Sequence, residues 1–197
     1  MTKRCTLVIP DAGPFNSLWV ANELPLLLKL DMLIVVVDAV YDELTRDPVN
    51  YPKDREVKAF IDAHQPPFKI EDTETGRRER EKRREGLPPR RNAGEVAIVD
   101  FMSDGLEKYL TASEPVLVLF EDADVPGVRF FRKPPNLHLL STVGMVRGLE
   151  RVGIIRSADE VIQNMTHPSD PSRRARVLKD LPDGVDEPAT IGSSWTP

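Results

Sequence analysis

The chain has 197 residues, 40% of them hydrophobic and 30% charged, which fits one folded domain of ordinary size plus a tail and excludes a disordered polyelectrolyte. The net charge is −5, and a single cysteine, Cys5, excludes a disulfide framework within a monomer and a cysteine-based zinc site, so a reducing cytoplasm is the natural compartment. The longest apolar runs, of the scale of VVV and LPLLLKL, fall far below the roughly 20 residues of a membrane span, and the N-terminal MTKRCTLVIPDAG is too short in apolar residues for a signal-peptide core.

Thr6 to Pro10 is apolar and β-branched, closes on Pro-Asp-Ala-Gly, and predicts a first buried strand. Pro14 to Leu30 predicts a helix broken near Pro25. Leu33 to Val37 is a continuous apolar run, as expected of a parallel strand covered on both faces. A short helix is expected over Ala39 to Thr45. An amphipathic helix follows over Asp54 to Ala63, with Val57, Phe60 and Ile61 at helical spacing. Pro67 to Ile70 predicts a short strand.

Gly76 to Asn92 holds eight basic and three acidic residues, a local +5 that leaves about −10 for the rest of the chain. No apolar residue occurs from Gly76 to Gly86, so this stretch is expected outside the core, as a solvated helix, a mobile loop or a nucleic-acid contact. Ala93 to Tyr109 predicts the best helix of the chain, with Asn92 as its N-cap and Val96, Val99, Phe101, Met102 and Leu106 on its buried face. Val116 to Phe120 predicts a third buried strand, Val128 to Arg132 a fourth strand or a loop, and Leu137 to Leu140 another short strand. Val143 to Val152 predicts a helix stopped by Gly153, and Ser157-Ala-Asp-Glu160 a capping box that opens one more. Residues 1–166 therefore predict a three-layer α/β/α sandwich with a mainly parallel central sheet. The proline-rich, weakly periodic stretch from His167 to Pro197 predicts an extended or disordered tail, with a helical turn or two in Ser172 to Leu181.

Four acids mark the chemistry. Asp11 follows TLVIP, Glu43 lies about one helical turn beyond the second strand, Glu95 opens the GEVAIVDFM helix, and Asp122 follows PVLVLFE. In open parallel sheets, sites form beyond the carboxyl ends of the strands. Four carboxylates meeting there repel one another, and a hard divalent cation relieves that repulsion. The ligands offer oxygen only, and His64, His138 and His167 are scattered, so Mg²⁺ or Mn²⁺ is the expected ion. Such a cluster beside a basic segment points to a polyanion substrate. Each acid also has a plainer role open to it: Asp11 as a helix cap, Glu43 and Asp122 as surface acids, Glu95 as a partner of its helix dipole. Asp38 and Asp100 are expected as surface or capping acids. Phe15 and Trp19 are expected in the core or a dimer contact, and Cys5 as a small buried hydrophobe.

The segments VIPDAGPFNSLW, VVVDAVYDELTRD, NAGEVAIVDFM, VLVLFEDADV and LLSTVGMVRGLERVGII, in this order over Thr6 to Asn164, resemble the PIN domain family, the ribonuclease fold of VapBC-type toxins. The resemblance implies Asp11, Glu43, Glu95 and Asp122 as the four metal-binding catalytic acids, with Asp124 or Glu121 as an accessory ligand. It also places Thr142 where related sequences carry a small hydroxyl after the last strand. Asn16 and Ser17, one turn from Asp11, are expected to position a ligand or water. Arg77, Arg78, Arg80, Lys82, Arg83, Arg84, Arg90 and Arg91 would then attract an RNA backbone, single-stranded or looped. A homodimer and a cognate antitoxin are the implied partners. The chain departs from the family pattern in its length, in the arginine-rich segment before the third acid, and in Phe120-Glu121-Asp122-Ala123-Asp124 where Thr-x-Asp or Thr-Asp-Asp is usual. That last difference leaves Asp122 and Asp124 interchangeable as the fourth ligand. A catalytically inactive PIN-like binding module is the competing expectation. A dehalogenase-like phosphatase is disfavoured, because Gly13 stands where its nucleophile motif needs a second Asp.

Overall fold

A computed structural model of the chain describes residues 5–111, 114–121 and 136–177. Among them, five strands form one all-parallel sheet in a three-layer α/β/α sandwich: β1 (Leu7–Pro10), β2 (Leu33–Val37), β3 (Phe68–Glu71), β4 (Val116–Phe120) and β5 (Leu137–Ser141), ordered β3-β2-β1-β4-β5. Every residue of β1 and β4 is buried, the burial expected of parallel strands covered on both faces. The registers Val8↔Ile34 and Val8↔Leu117 place β1 between β2 and β4. The chain builds outward from β1 through β2 to β3, then crosses back to β4 on the other side of β1. The strand order therefore reverses between β1 and β4, and an open parallel sheet leaves its crevice at that point, beyond the carboxyl ends of the strands.

The helices are α1 (Ala12–Ala21), α2 (Asp38–Leu44), α3 (Pro52–Ala63), α4 (Glu74–Arg84), α5 (Ala93–Asp100), α6 (Thr142–Arg151) and α7 (Ala158–Thr166). α7 packs on α1 and α6, while α5 packs on α2 and α4. Ser141 and Ser157 cap α6 and α7 by accepting from the backbone N–H of Gly144 and Glu160.

Two expected long helices are interrupted. The first ends at Ala21, because Asn22 turns into the left-handed region (φ 62°). Leu24–Leu30 then continues as a 3₁₀ helix with Pro25 in its first turn. The second stops being α-helical at Asp100 and passes through a π-helical turn, Phe101–Gly105, into a short 3₁₀ turn. Gly105 sits so close to the Phe101 ring that a Cβ there would fall 2.4 Å from it. Asn92 precedes α5 with φ 60° and makes no side-chain cap, contrary to the expected capping role.

The arginine-rich stretch also differs from expectation. It forms α4, capped by Thr73, and one face of it is buried without any apolar side chain: Thr75, Gly76 and Glu79 all point inward. Gly76 lies against the buried carboxylate of Asp38, the Thr75 N–H donates to Asp100 Oδ2 at 2.9 Å, and Glu79 accepts from Lys82 Nζ at 2.7 Å and from the Arg90 N–H at 2.8 Å. Asp38, expected at the surface or as a cap, is 2% exposed. The proposed strand at Val128 to Arg132 lies outside the described residues. Of the expected tail, residues 168–177 form no helix or strand but run along the domain, with the Arg176 N–H donating to Met165 O at 2.8 Å.

Candidate functional site

Asp11 directly follows β1, and its N–H donates to Leu119 O at 2.8 Å, tying the ends of β1 and β4 together. It occupies the N-cap position of α1 in extended conformation, yet its side chain makes no capping hydrogen bond, so the plainer capping role is not the one it fills. The residue is 8% exposed. Its carboxylate is directed towards α5. A Cβ built on Gly94 would stand 3.4 Å from Asp11 Oδ1, 3.9 Å from Glu43 Oε2 and 3.0 Å from Val40 Cγ2. Two carboxylates from β1 and α2 thus converge on one point against the first turn of α5, and Glu95 is the next residue of that turn. Glycine at 94 keeps this space open.

Glu43 is exposed and Glu95 half-buried, so the pocket opens to solvent on that side. Asp122 and Asp124, the expected fourth ligand and its alternative, lie outside the described residues. Among the described residues, no group of three or more His, Cys, Asp or Glu is arranged to hold a metal ion. Asp11 and Glu43 supply hard oxygen donors only, a chemistry that fits Mg²⁺ or Mn²⁺.

Thr142 is the first residue of α6, directly after β5, and is wholly buried. Its Oγ1 has no hydrogen-bond partner among the described residues. Asn16, on α1, accepts from Lys53 Nζ at 3.1 Å, so its amide oxygen joins α1 to α3.

Glu121, expected as an alternative accessory ligand, directly follows β4 and is instead engaged by side chains of the same chain. It is 2% exposed; its Oε2 accepts from Ser17 Oγ at 2.6 Å and from Arg176 Nη2 at 3.0 Å, while Oε1 is buried without a partner. Gly13 makes room for it, since a Cβ there would lie 2.8 Å from Glu121 Cβ. The one local sign in the sequence was that glycine, two residues after Asp11. Burial raises the Glu121 carboxyl above its ordinary 4.5, outweighing the lowering by Ser17 and Arg176. The folded chain therefore holds a proton there at pH values where the unfolded chain has released it. This contribution to stability is fully present below 4.5 and is lost as pH rises through the raised folded value. Urea melts in EDTA should show wild type losing stability over that window relative to Glu121→Gln; identical pH profiles would contradict this.

The basic residues divide into two sets. Arg80 Nη1 lies 2.7 Å from Asp38 Oδ2, and its Nη2 2.7 Å from Asp72 Oδ1. Lys82 pairs with Glu79 at 2.7 Å, Arg83 approaches Asp42 at 3.8 Å, and Arg78 pairs with Glu74 one turn away. Arg77, Arg84, Arg90 and Arg91 are exposed and make no ion pair with a described residue. α4 packs on α5, so these cations and the Asp11–Glu43 pocket are served by neighbouring helices.

No helix among the described residues is long and apolar enough to cross a membrane. Comparison of the chain with protein-family models, curated proteins and solved structures finds no match.

Proposed function

We propose that the chain is a cytoplasmic, metal-dependent endoribonuclease of the PIN type, cutting RNA phosphodiesters as the toxin of a type II toxin–antitoxin module. The observation that carries this reading is the convergence of Asp11 Oδ1 and Glu43 Oε2 on the space over Gly94, at the carboxyl edge where the strand order reverses. Asp11, Glu43 and Glu95, with Asp122 or Asp124, would hold Mg²⁺ or Mn²⁺. When bound, such an ion activates water and stabilises the leaving oxygen. The chain's own part is to keep the carboxylates in place: the β1–β4 tie fixes Asp11, and Gly94 leaves the pocket unfilled. Arg77, Arg84, Arg90 and Arg91 attract the backbone by releasing counterions. A small antitoxin would act by covering the acidic pocket, and a homodimer is part of the proposal.

The second reading, a catalytically inactive PIN-like module that binds RNA or protein, is favoured by one observation. The acid at the end of β4, Glu121, is already paired with Arg176 of the same chain at 3.0 Å. A mixed panel of single-stranded RNAs incubated with Mg²⁺, Mn²⁺ or EDTA decides between the two. The nuclease reading expects cutting with either metal and none in EDTA. Intact folding with no cutting under any metal, and no metal binding by calorimetry, leaves the inactive module.

A further inference from the structure

A cavity of about 370 Å³ opens between α1, α3 and the segment 174–177, within the roughly 300–1,000 Å³ of small-ligand sites. Its lining includes Lys53, Arg174 and Arg176 but no carboxylate, together with the amide of Asn16 and the indole of Trp19. Each cation is differently held. Lys53 Nζ is fixed by Asn16 Oδ1 at 3.1 Å and lies 3.4 Å from Asp54. Arg176 is anchored on Glu121 through Nη2, while its Nε is buried without a partner among the described residues. Arg174 is exposed and makes no ion pair with a described residue.

The residue before the segment is fixed as well. Arg173 donates to Trp19 O, stacks its guanidinium 4.5 Å from the centroid of the Trp19 ring, and approaches Glu56 at 3.4 Å. The segment that brings in Arg174 and Arg176 is therefore held to α1 through Arg173, and to Glu121 and Met165 through Arg176. Asn16 lies five residues beyond Asp11, about 7.5 Å along the α1 axis.

We propose that this cavity binds a backbone phosphate of single-stranded RNA next to the acid pair, and that the C-terminal segment belongs to the substrate surface. The proposal rests on the nuclease reading for its choice of polyanion. It adds a second group of cations, independent of α4 and α5, and gives the segment 174–177 a role that α4 cannot fill.

The test uses the full chain in EDTA with a labelled single-stranded RNA, read by fluorescence anisotropy across a salt series. The variants are Lys53→Gln/Arg174→Gln and, separately, Arg77→Gln/Arg84→Gln. Loss of the cations on that phosphate should weaken binding about 5- to 10-fold at low salt and flatten the log–log salt slope by about 0.7. An unchanged affinity and slope in the Lys53/Arg174 variant, with weakening in the Arg77/Arg84 variant, overturns the cavity and leaves the nuclease reading intact. Slope loss in the Lys53/Arg174 variant without RNA cutting under Mg²⁺ or Mn²⁺ supports the cavity and removes the nuclease. Failure of wild type to bind RNA removes both. Should the double variant not fold, inorganic phosphate titrated into a Trp195→Phe chain decides, since Trp19 is then the sole tryptophan. A saturable change in emission supports the site, and a flat titration overturns it.

Discussion

Replacing Asp11 with asparagine is expected to lower RNA cleavage by at least about 100-fold, the scale on which a single preorganised electrostatic group in an active site acts. The fold should survive, because the shape is kept, the capping role is absent, and the bond tying β1 to β4 comes from the backbone N–H. Gly94→Ala attacks the same pocket from the opposite wall. Inside a helix, alanine is ordinarily favoured over glycine by about 0.5–1 kcal/mol. Here its methyl would enter the space shared by Asp11 Oδ1 and Glu43 Oε2 and press on Val40 at 3.0 Å. Activity should fall while the melting temperature stays near that of wild type. Cleavage rates in Mg²⁺ beside thermal melts of both variants check this. An Asp11→Asn chain that cuts at the wild-type rate would remove Asp11 from the site, and with it the acid pair over Gly94 as the place of cleavage.

What could be read from the sequence follows from the range over which each feature is determined. The strands were legible because Leu33–Val37 and Val116–Phe120 are continuous apolar runs, a pattern that burial on both faces imposes locally. Asp11 and Glu95 were placed by adjacency alone, one after a strand and one in a first helical turn. Helix limits were less legible: the left-handed Asn22 and the packing of Gly105 on Phe101 decide them, and neither alters hydrophobic periodicity. The buried acids were hidden for a different reason. Glu121 meets Ser17 across 104 residues and Arg176 across 55, and Asp38 meets Thr73 across 35. A carboxylate with such distant partners has the same local signature as a surface acid. The basic segment misled in the same way, since a helix with no apolar residue packs only if another element offers it a buried charge.

That buried charge makes Gly76→Ala the most disruptive single change expected in the fold, at about 3–5 kcal/mol, the scale of a broken buried ion pair. Asp38 stands at the end of β2, where its Oδ1 accepts from Ala39 N at 3.0 Å, Thr73 N at 3.1 Å and Thr73 Oγ1 at 2.7 Å. Its Oδ2 faces Arg80 Nη1 at 2.7 Å. A Cβ on Gly76 would sit 2.1 Å from all three atoms of the Asp38 carboxyl, far inside contact. Either α4 lifts away or the carboxylate swings out, and both outcomes strip a buried charge of its partners. The usual gain of alanine in a helix is thereby reversed. Arg78→Ala serves as the control on the same helix: its pair with Glu74 is 70% and 60% exposed, and exposed pairs contribute only about 0–1 kcal/mol. Urea melts of the two variants should differ by several-fold in lost stability. Near-wild-type stability in Gly76→Ala would mean that α4 does not dock through Asp38. If it does dock there, loosening α4 displaces Arg77 and Arg84 and unseats the neighbour of α5, so RNA binding should weaken along with the fold even though position 76 carries no charge.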